Sequence, residues 1–94
     1  MEEREYIINL YEYYGKLLTD KQRQYFEDYY YENLTMEEIS ENDEVSKNAV
    51  SKQLISIKNK LINYENILNL YKNKIEINNI LKDTKYLKEV NKYI

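Results

Sequence analysis

No proline interrupts this chain of 94 residues, and Gly15 is its only glycine. A chain so poor in helix breakers has few ways to leave the helical state except by caps and polar turn residues. An all-α fold is therefore expected, as one domain over residues 1–94 with a single modest core. Three capping signals mark where helices begin. Thr19 with Gln22 and Thr35 with Glu38 have the spacing of capping boxes, in which each partner satisfies an amide at a helix start. Ser46 precedes KNAVSKQL as a third N-cap.

Read in order, residues 2–14 form a first helix with Tyr6, Ile7, Leu10 and Tyr14 on one face and Gly15 as its stop. Leu17 and Leu18 are expected to be a buried connection. A second helix spans 20–32, with Tyr25, Phe26, Tyr29 and Tyr30 inward and Asn33 as its end. Of the tyrosine run 29–31, Tyr31 is the one expected at the surface. Stacking on unpaired bases is open to such a run, but helical spacing beside Phe26 favours core packing.

The stretch Leu34–Lys60 reads as a short helix over 36–42, a turn at Asn42-Asp43-Glu44, and a second helix from Lys47. Val50, Leu54 and Ile57 are expected to close a core with Ile39 and Val45. That leaves Lys47, Asn48, Ser51, Lys52 and Lys58 on the free side. An apolar face that holds the helix and a donor-bearing face turned outward is the division a groove-reading helix needs.

From Val50 the apolar positions continue through Leu54, Ile57, Leu61, Tyr64, Leu68, Tyr71 and Ile75, alternating four and three residues apart. This heptad pattern predicts one long helix whose seam projects beyond a three-helix unit from Leu61 onward. An exposed apolar seam requires a cover. The last residues of the chain or a second copy could supply it; the short tail favours a second copy, meeting Leu61, Tyr64, Leu68, Tyr71 and Ile75. Asp83-Thr84 predicts a break with a new N-cap, and 85–93 a last amphipathic piece with Leu87, Val90 and Ile94 on one side.

The net charge of −3 hides an asymmetry. Residues 1–45 hold 13 acids and 4 bases, residues 46–94 hold 4 acids and 10 bases, and no acid falls between Ser46 and Tyr64. Positive charge thus starts where the proposed groove-reading helix starts. Cysteine and histidine are absent, which removes disulfides, thiolate and imidazole metal ligation, and Cys- or His-dependent catalysis. There is no glycine-rich phosphate loop and no G-x-S-x-G elbow, and the acids of 37–44 lack the spacing of a calcium loop. No enzyme activity, cofactor or metal is expected. No apolar run approaches a membrane span, and MEEREYIINLYEYY lacks the form of a signal peptide, so the expectation is a cytoplasmic protein without membrane insertion.

The segment LLTDKQRQYFEDYYYENLTMEEISENDEVSKNAVSKQL resembles the YlxM-type helix-turn-helix family of bacteria. The matching pieces are Leu17–Gln22, the cluster Tyr29–Tyr31, Leu34–Ile39 and the V-S-x-x-A-V run Val45–Val50. Where family members often carry arginine after the V-S of the turn, this chain has Lys47, a poorer bidentate reader of guanine. The resemblance implies a fold similar to region four of bacterial sigma factors, with a long extended helix, short C-terminal helices and homodimers. Residues 1–60 would form the helix-turn-helix core and 61–94 the extension. It also implies a regulatory or accessory role near the signal recognition particle, beside whose genes the family's genes tend to lie.

Together these readings predict a homodimeric nucleic-acid-binding regulator, with DNA a better ligand than RNA. Thr35 and Ser46 would offer hydroxyls and helix N-terminal amides to phosphates. Lys47, Asn48, Ser51 and Lys52 would enter the major groove, and Lys58 would reach the flanking backbone. The alternative is an accessory factor that contacts a component of the signal recognition particle or its RNA, keeping the helix-turn-helix only as a scaffold.

Overall fold

The computed structural model describes residues 2–94, and all regular structure among them is helical. α1 spans Glu3–Tyr14 and runs into a 3-10 turn, Gly15–Leu17. α2 spans Asp20–Phe26 and continues as a π turn, Glu27–Tyr31. α3 is Met36–Asp43, α4 is Lys47–Leu68, α5 is Leu70–Leu81 and α6 is Leu87–Val90.

The caps act as their spacing requires. Thr19 Oγ1 accepts from the Gln22 amide at 3.2 Å, while Gln22 Oε1 accepts from the Thr19 amide at 3.0 Å. Thr35 and Glu38 make the same reciprocal pair at 3.1 Å in both directions. Ser46 Oγ accepts from the Ala49 amide at 3.0 Å. Asn33 ends the second helical stretch in the left-handed region, with φ 56°.

The core takes one stripe from each of α1 to α4. Ile7, Leu10 and Tyr14 face Leu18, Tyr25, Phe26 and Ile39, and α4 closes over them with Val50, Leu54, Ile57 and Leu61. Each aliphatic side chain buried in this way contributes about 1.5–3 kcal/mol, so four of them anchor α4 firmly from one side. Phe26 is sandwiched between the Tyr11 and Tyr30 rings, with centroids 3.9 and 4.4 Å away. The π turn is closed by the Glu32 amide donating to the Glu27 carbonyl. Arg4 then reaches across from α1 and donates to the carbonyls of Tyr29 and Tyr30 and to Asn33 Oδ1, at 3.0–3.3 Å. A cation on the carbonyl end of a helix is favoured by the helix dipole, and here it also lies over the Tyr30 ring.

Three local expectations are corrected. Leu17 is exposed, and only Leu18 is buried; the 3-10 turn rotates consecutive side chains to different sides. Val45 is also exposed rather than part of the core. It follows Glu44, which is left-handed at φ 55°, and its amide donates back to the Ser40 carbonyl while that of Glu44 meets Glu41. This is a Schellman closure, and it turns Val45 outward. Thr84 caps nothing ahead of it, because its hydroxyl donates to the Leu81 carbonyl and so closes α5. The final helix is correspondingly short, although Leu87, Val90 and Ile94 are all half-buried.

The largest correction concerns the predicted continuous helix. α4 stops at Leu68, and Asn69 takes a left-handed conformation at φ 55° and ψ 27° before α5 begins. The break is held by Glu65, a carboxylate only 5% exposed. It accepts from the Tyr14 hydroxyl at 2.5 Å and from the Tyr71 and Lys72 amides at 3.2 and 3.0 Å. The Leu70 amide donates to the Tyr14 hydroxyl oxygen at 3.1 Å. The opening amides of α5 are thus satisfied by side chains of α1 and α4, and a negative charge sits at the positive end of the α5 dipole. The bend lets Tyr71 return to α1, where its ring meets Tyr6 and Tyr13.

Candidate nucleic-acid interface

α3, the turn at Glu44–Ser46 and the first half of α4 form the helix-turn-helix. α4 is 22 residues long, or about 33 Å, and its buried stripe of Val50, Leu54, Ile57, Leu61 and Glu65 faces the body of the protein. The opposite side is open. Lys52, Ile55, Ser56, Asn59, Lys60 and Asn63 line one shallow surface groove, and Asn48 extends that row toward the N-terminus of α4. No carboxylate belongs to this face.

The predicted contact residues do not all lie there. Asn48 and Lys52 are exposed on the outward row, and Ser51 is half-buried at its edge. Lys47 points toward α3, where its Nζ stands 3.4 Å from Glu37 Oε1. It also lines an open depression with Arg4, Asn33, Thr35 and Met36 at the mouth of α4. Lys58 turns to α1 and pairs with Glu3, which raises its pKa. Lys52 and Lys60 make no ion pair among the described residues. The Thr35 and Ser46 oxygens already serve as caps, but each hydroxyl keeps its own proton to donate.

Arg4, Ile55, Ser56, Asn59 and Lys60 were missed in the sequence reading. Helical geometry contained a signal for four of them: counting seven, eight, eleven and twelve residues on from Asn48 reaches Ile55, Ser56, Asn59 and Lys60. Arg4 had none, since its position depends on how α1 crosses the π turn.

The five residues expected at a dimer contact also separate. Leu61 is 0% exposed and lies in the chain's own core, so no second copy can reach it. Tyr64 packs on Tyr14, and Tyr71 on Tyr6 and Tyr13, each half-buried. Leu68 and Ile75 are exposed, together with Ile67, Leu70 and Ile80. The physical reason is the bend at Asn69, which folds part of the seam inward and leaves the rest outside.

Among the described residues no group of acids could hold a metal ion, and no helix is long and apolar enough to cross a membrane.

Comparison with known proteins agrees with this architecture. The family model described as "Putative helix-turn-helix protein, YlxM / p13 like" (UPF0122) matches residues 1–94. A UPF0122 protein of Ureaplasma urealyticum serovar 10 is 37% identical over 90 residues, covering 93% of this chain and 91% of the relative. One from Clostridium acetobutylicum is 38% identical over 90 residues, covering 93% and 78%. One from Fusobacterium nucleatum is 37% identical over 79 residues, covering 84% and 77%. With a helix-turn-helix at its centre and a family match from end to end, this chain belongs to the YlxM/p13-like UPF0122 family.

Proposed function

We propose that this protein is a DNA-binding regulator that lays the outward face of α4 in the major groove. The observation that carries this reading is the acid-free row Asn48, Lys52, Ser56, Asn59 and Lys60 on the second helix of a helix-turn-helix. Lys52 and Lys60 supply the free positive charge, and Lys47 joins them once a phosphate competes with Glu37. Thr35 and Ser46 donate hydroxyl protons to the backbone beside the turn, and Lys58 stays with Glu3 until a flanking phosphate draws it away. With so few cations, binding is weak and falls with salt. Fluorescence anisotropy of the full chain on duplex DNA over a salt series tests this. Lys52→Ala is expected to weaken binding and lower the salt slope by about one unit. Affinity unchanged in the Lys47→Ala/Lys52→Ala double variant would remove this face from the mechanism.

The active form in this reading is a homodimer joined through the apolar elbow of Leu68 and Ile75, with Ile67, Leu70 and Ile80 around them. Two-fold pairing would present two α4 helices to successive groove segments. Leu68→Glu should convert the dimer to a monomer in light scattering; a dimer that persists moves the interface elsewhere.

The same elbow, next to an acid-rich first half, favours a second reading as an accessory factor of the signal recognition particle, bound to its protein or RNA component. A pull-down with and without nuclease separates the two. Partners that survive nuclease support the accessory role, and partners lost with nuclease support the first reading.

A further inference from the structure

α4 carries no arginine, and its single acid, Glu65, is buried. Arginine, whose planar fork takes guanine O6 and N7 together, and a carboxylate, which accepts from cytosine N4, are therefore both missing from the exposed row; its lysines can meet guanine only without that fork. What the row offers instead is carboxamide and hydrocarbon. Asn48 and Asn59 each place a donor and an acceptor side by side, the match for adenine N7 and N6. Between them stands Ile55, 55% exposed and flanked in the groove by Lys52, Ser56 and Asn59. It is not among the described residues that form the core or pack against it. An apolar side chain on a helix face otherwise built of amides and lysines has one chemical counterpart in the major groove, the thymine C5-methyl.

The spacing fits a short run of bases. Asn48 and Ile55 are seven residues apart on one side of α4, about 10.5 Å along the axis. That is about three base pairs at 3.4 Å each. Lys52 lies between them and is free to reach a phosphate.

We infer that the exposed row of α4 reads A·T base pairs, with Asn48 hydrogen-bonded to an adenine edge and Ile55 packed on a thymine methyl. This rests on the DNA-binding reading above and adds to it the class of site and two residues that select it. Ile55 would be a specificity residue, Lys52 an affinity residue, and mutation would separate the two.

The test uses the full chain and labelled duplexes of about 20 base pairs, two helical turns, at one fixed low salt concentration. One duplex has a mixed A/T centre, one a G/C centre, and one an A/T centre in which uracil replaces thymine and so lacks the methyl. The A/T duplex should bind about tenfold more tightly than the G/C duplex. Uracil should weaken wild-type binding several-fold and leave Ile55→Ala unaffected, because a side chain cut back to Cβ at the same helix position no longer reaches the thymine methyl. Asn48→Ala should shrink the A/T preference while leaving G/C affinity in place, and Lys52→Ala should weaken both duplexes alike. Both Ile55 and Asn48 are exposed, so these variants retain the fold, which circular dichroism checks. Equal affinity for A/T and G/C duplexes with a Lys52-dependent salt slope overturns the base preference and leaves DNA binding standing. A uracil penalty that persists in Ile55→Ala overturns the assignment of Ile55. Absence of binding to every duplex overturns DNA binding and this inference together.

Discussion

The Tyr14 hydroxyl donates to Glu65 Oε1 at 2.5 Å, and both side chains are almost fully buried. The pair joins three helices: Tyr14 belongs to α1, Glu65 to α4, and the amides of Leu70, Tyr71 and Lys72 that complete the site open α5. The direction of α5, and with it the placement of the exposed elbow, depends on this one carboxylate. Glu65→Ala should cost about 2–4 kcal/mol, since it strands buried donors as well as removing bonds. Hydrogen exchange should show the loss concentrated in α5, with α1–α4 still protected. Tyr14→Phe should cost less, about 1–2 kcal/mol, because Glu65 keeps its two amides. Uniform protection along α5 in Glu65→Ala would contradict this role.

Stability should fall at alkaline pH through Tyr14. Burial, reinforced by the Glu65 hydrogen bond, pushes its pKa up to about 12 from an ordinary 10.0. A phenol that holds its proton more tightly when folded contributes fully below the unfolded value and loses that contribution as pH rises through the folded one. The melting temperature should therefore drop between pH 10 and 12, and Tyr14→Phe should flatten that part of the curve. Tyr11 shifts in the same direction, by burial and its bond to Glu27. A wild-type and Tyr14→Phe pair with parallel curves would show that other groups control the alkaline limit.

Glu44 occupies a left-handed position that glycine tolerates without strain. Glu44→Gly should stabilise the fold by about 0.5–1 kcal/mol. It also deletes a negative charge beside the proposed interface, so DNA affinity at low salt should rise. Chemical denaturation and the same anisotropy assay read the two effects separately. A destabilised Glu44→Gly would mean that the carboxylate has a role the turn geometry does not require.

Gly15 is right-handed, with φ −56°, so its need for a missing Cβ is steric. An added Cβ would stand 2.9–3.1 Å from three carbons of the Tyr11 ring. That ring is stacked on Phe26 and bonded through its hydroxyl to Glu27, so it has little room to move. Gly15→Ala should destabilise by about 1–3 kcal/mol, the cost of overpacking, and Tyr11→Leu in the same chain should recover part of it. A neutral Gly15→Ala would mean that the ring yields more easily than its two contacts suggest.

Local chemistry determined much of this molecule. The capping boxes at Thr19 and Thr35, the cap at Ser46 and the stop at Asn33 use atoms within a few residues of one another, so spacing alone predicts them. The inward stripe of α4 from Val50 to Leu61 follows from helical periodicity in the same way. The bend at Asn69 does not. The heptad pattern runs through it unbroken, because the bent chain and the straight one place Leu61, Tyr64 and Tyr71 on similar stripes. What decides between them is a carboxylate in α4 meeting a phenol 51 residues earlier in the chain, and a long-range bond of that kind leaves no period to read. The lysines divide on the same principle. Composition showed that α4 is basic; only the packing of α1 and α3 against it commits Lys58 to Glu3 and Lys47 to Glu37 and leaves Lys52 and Lys60 facing outward.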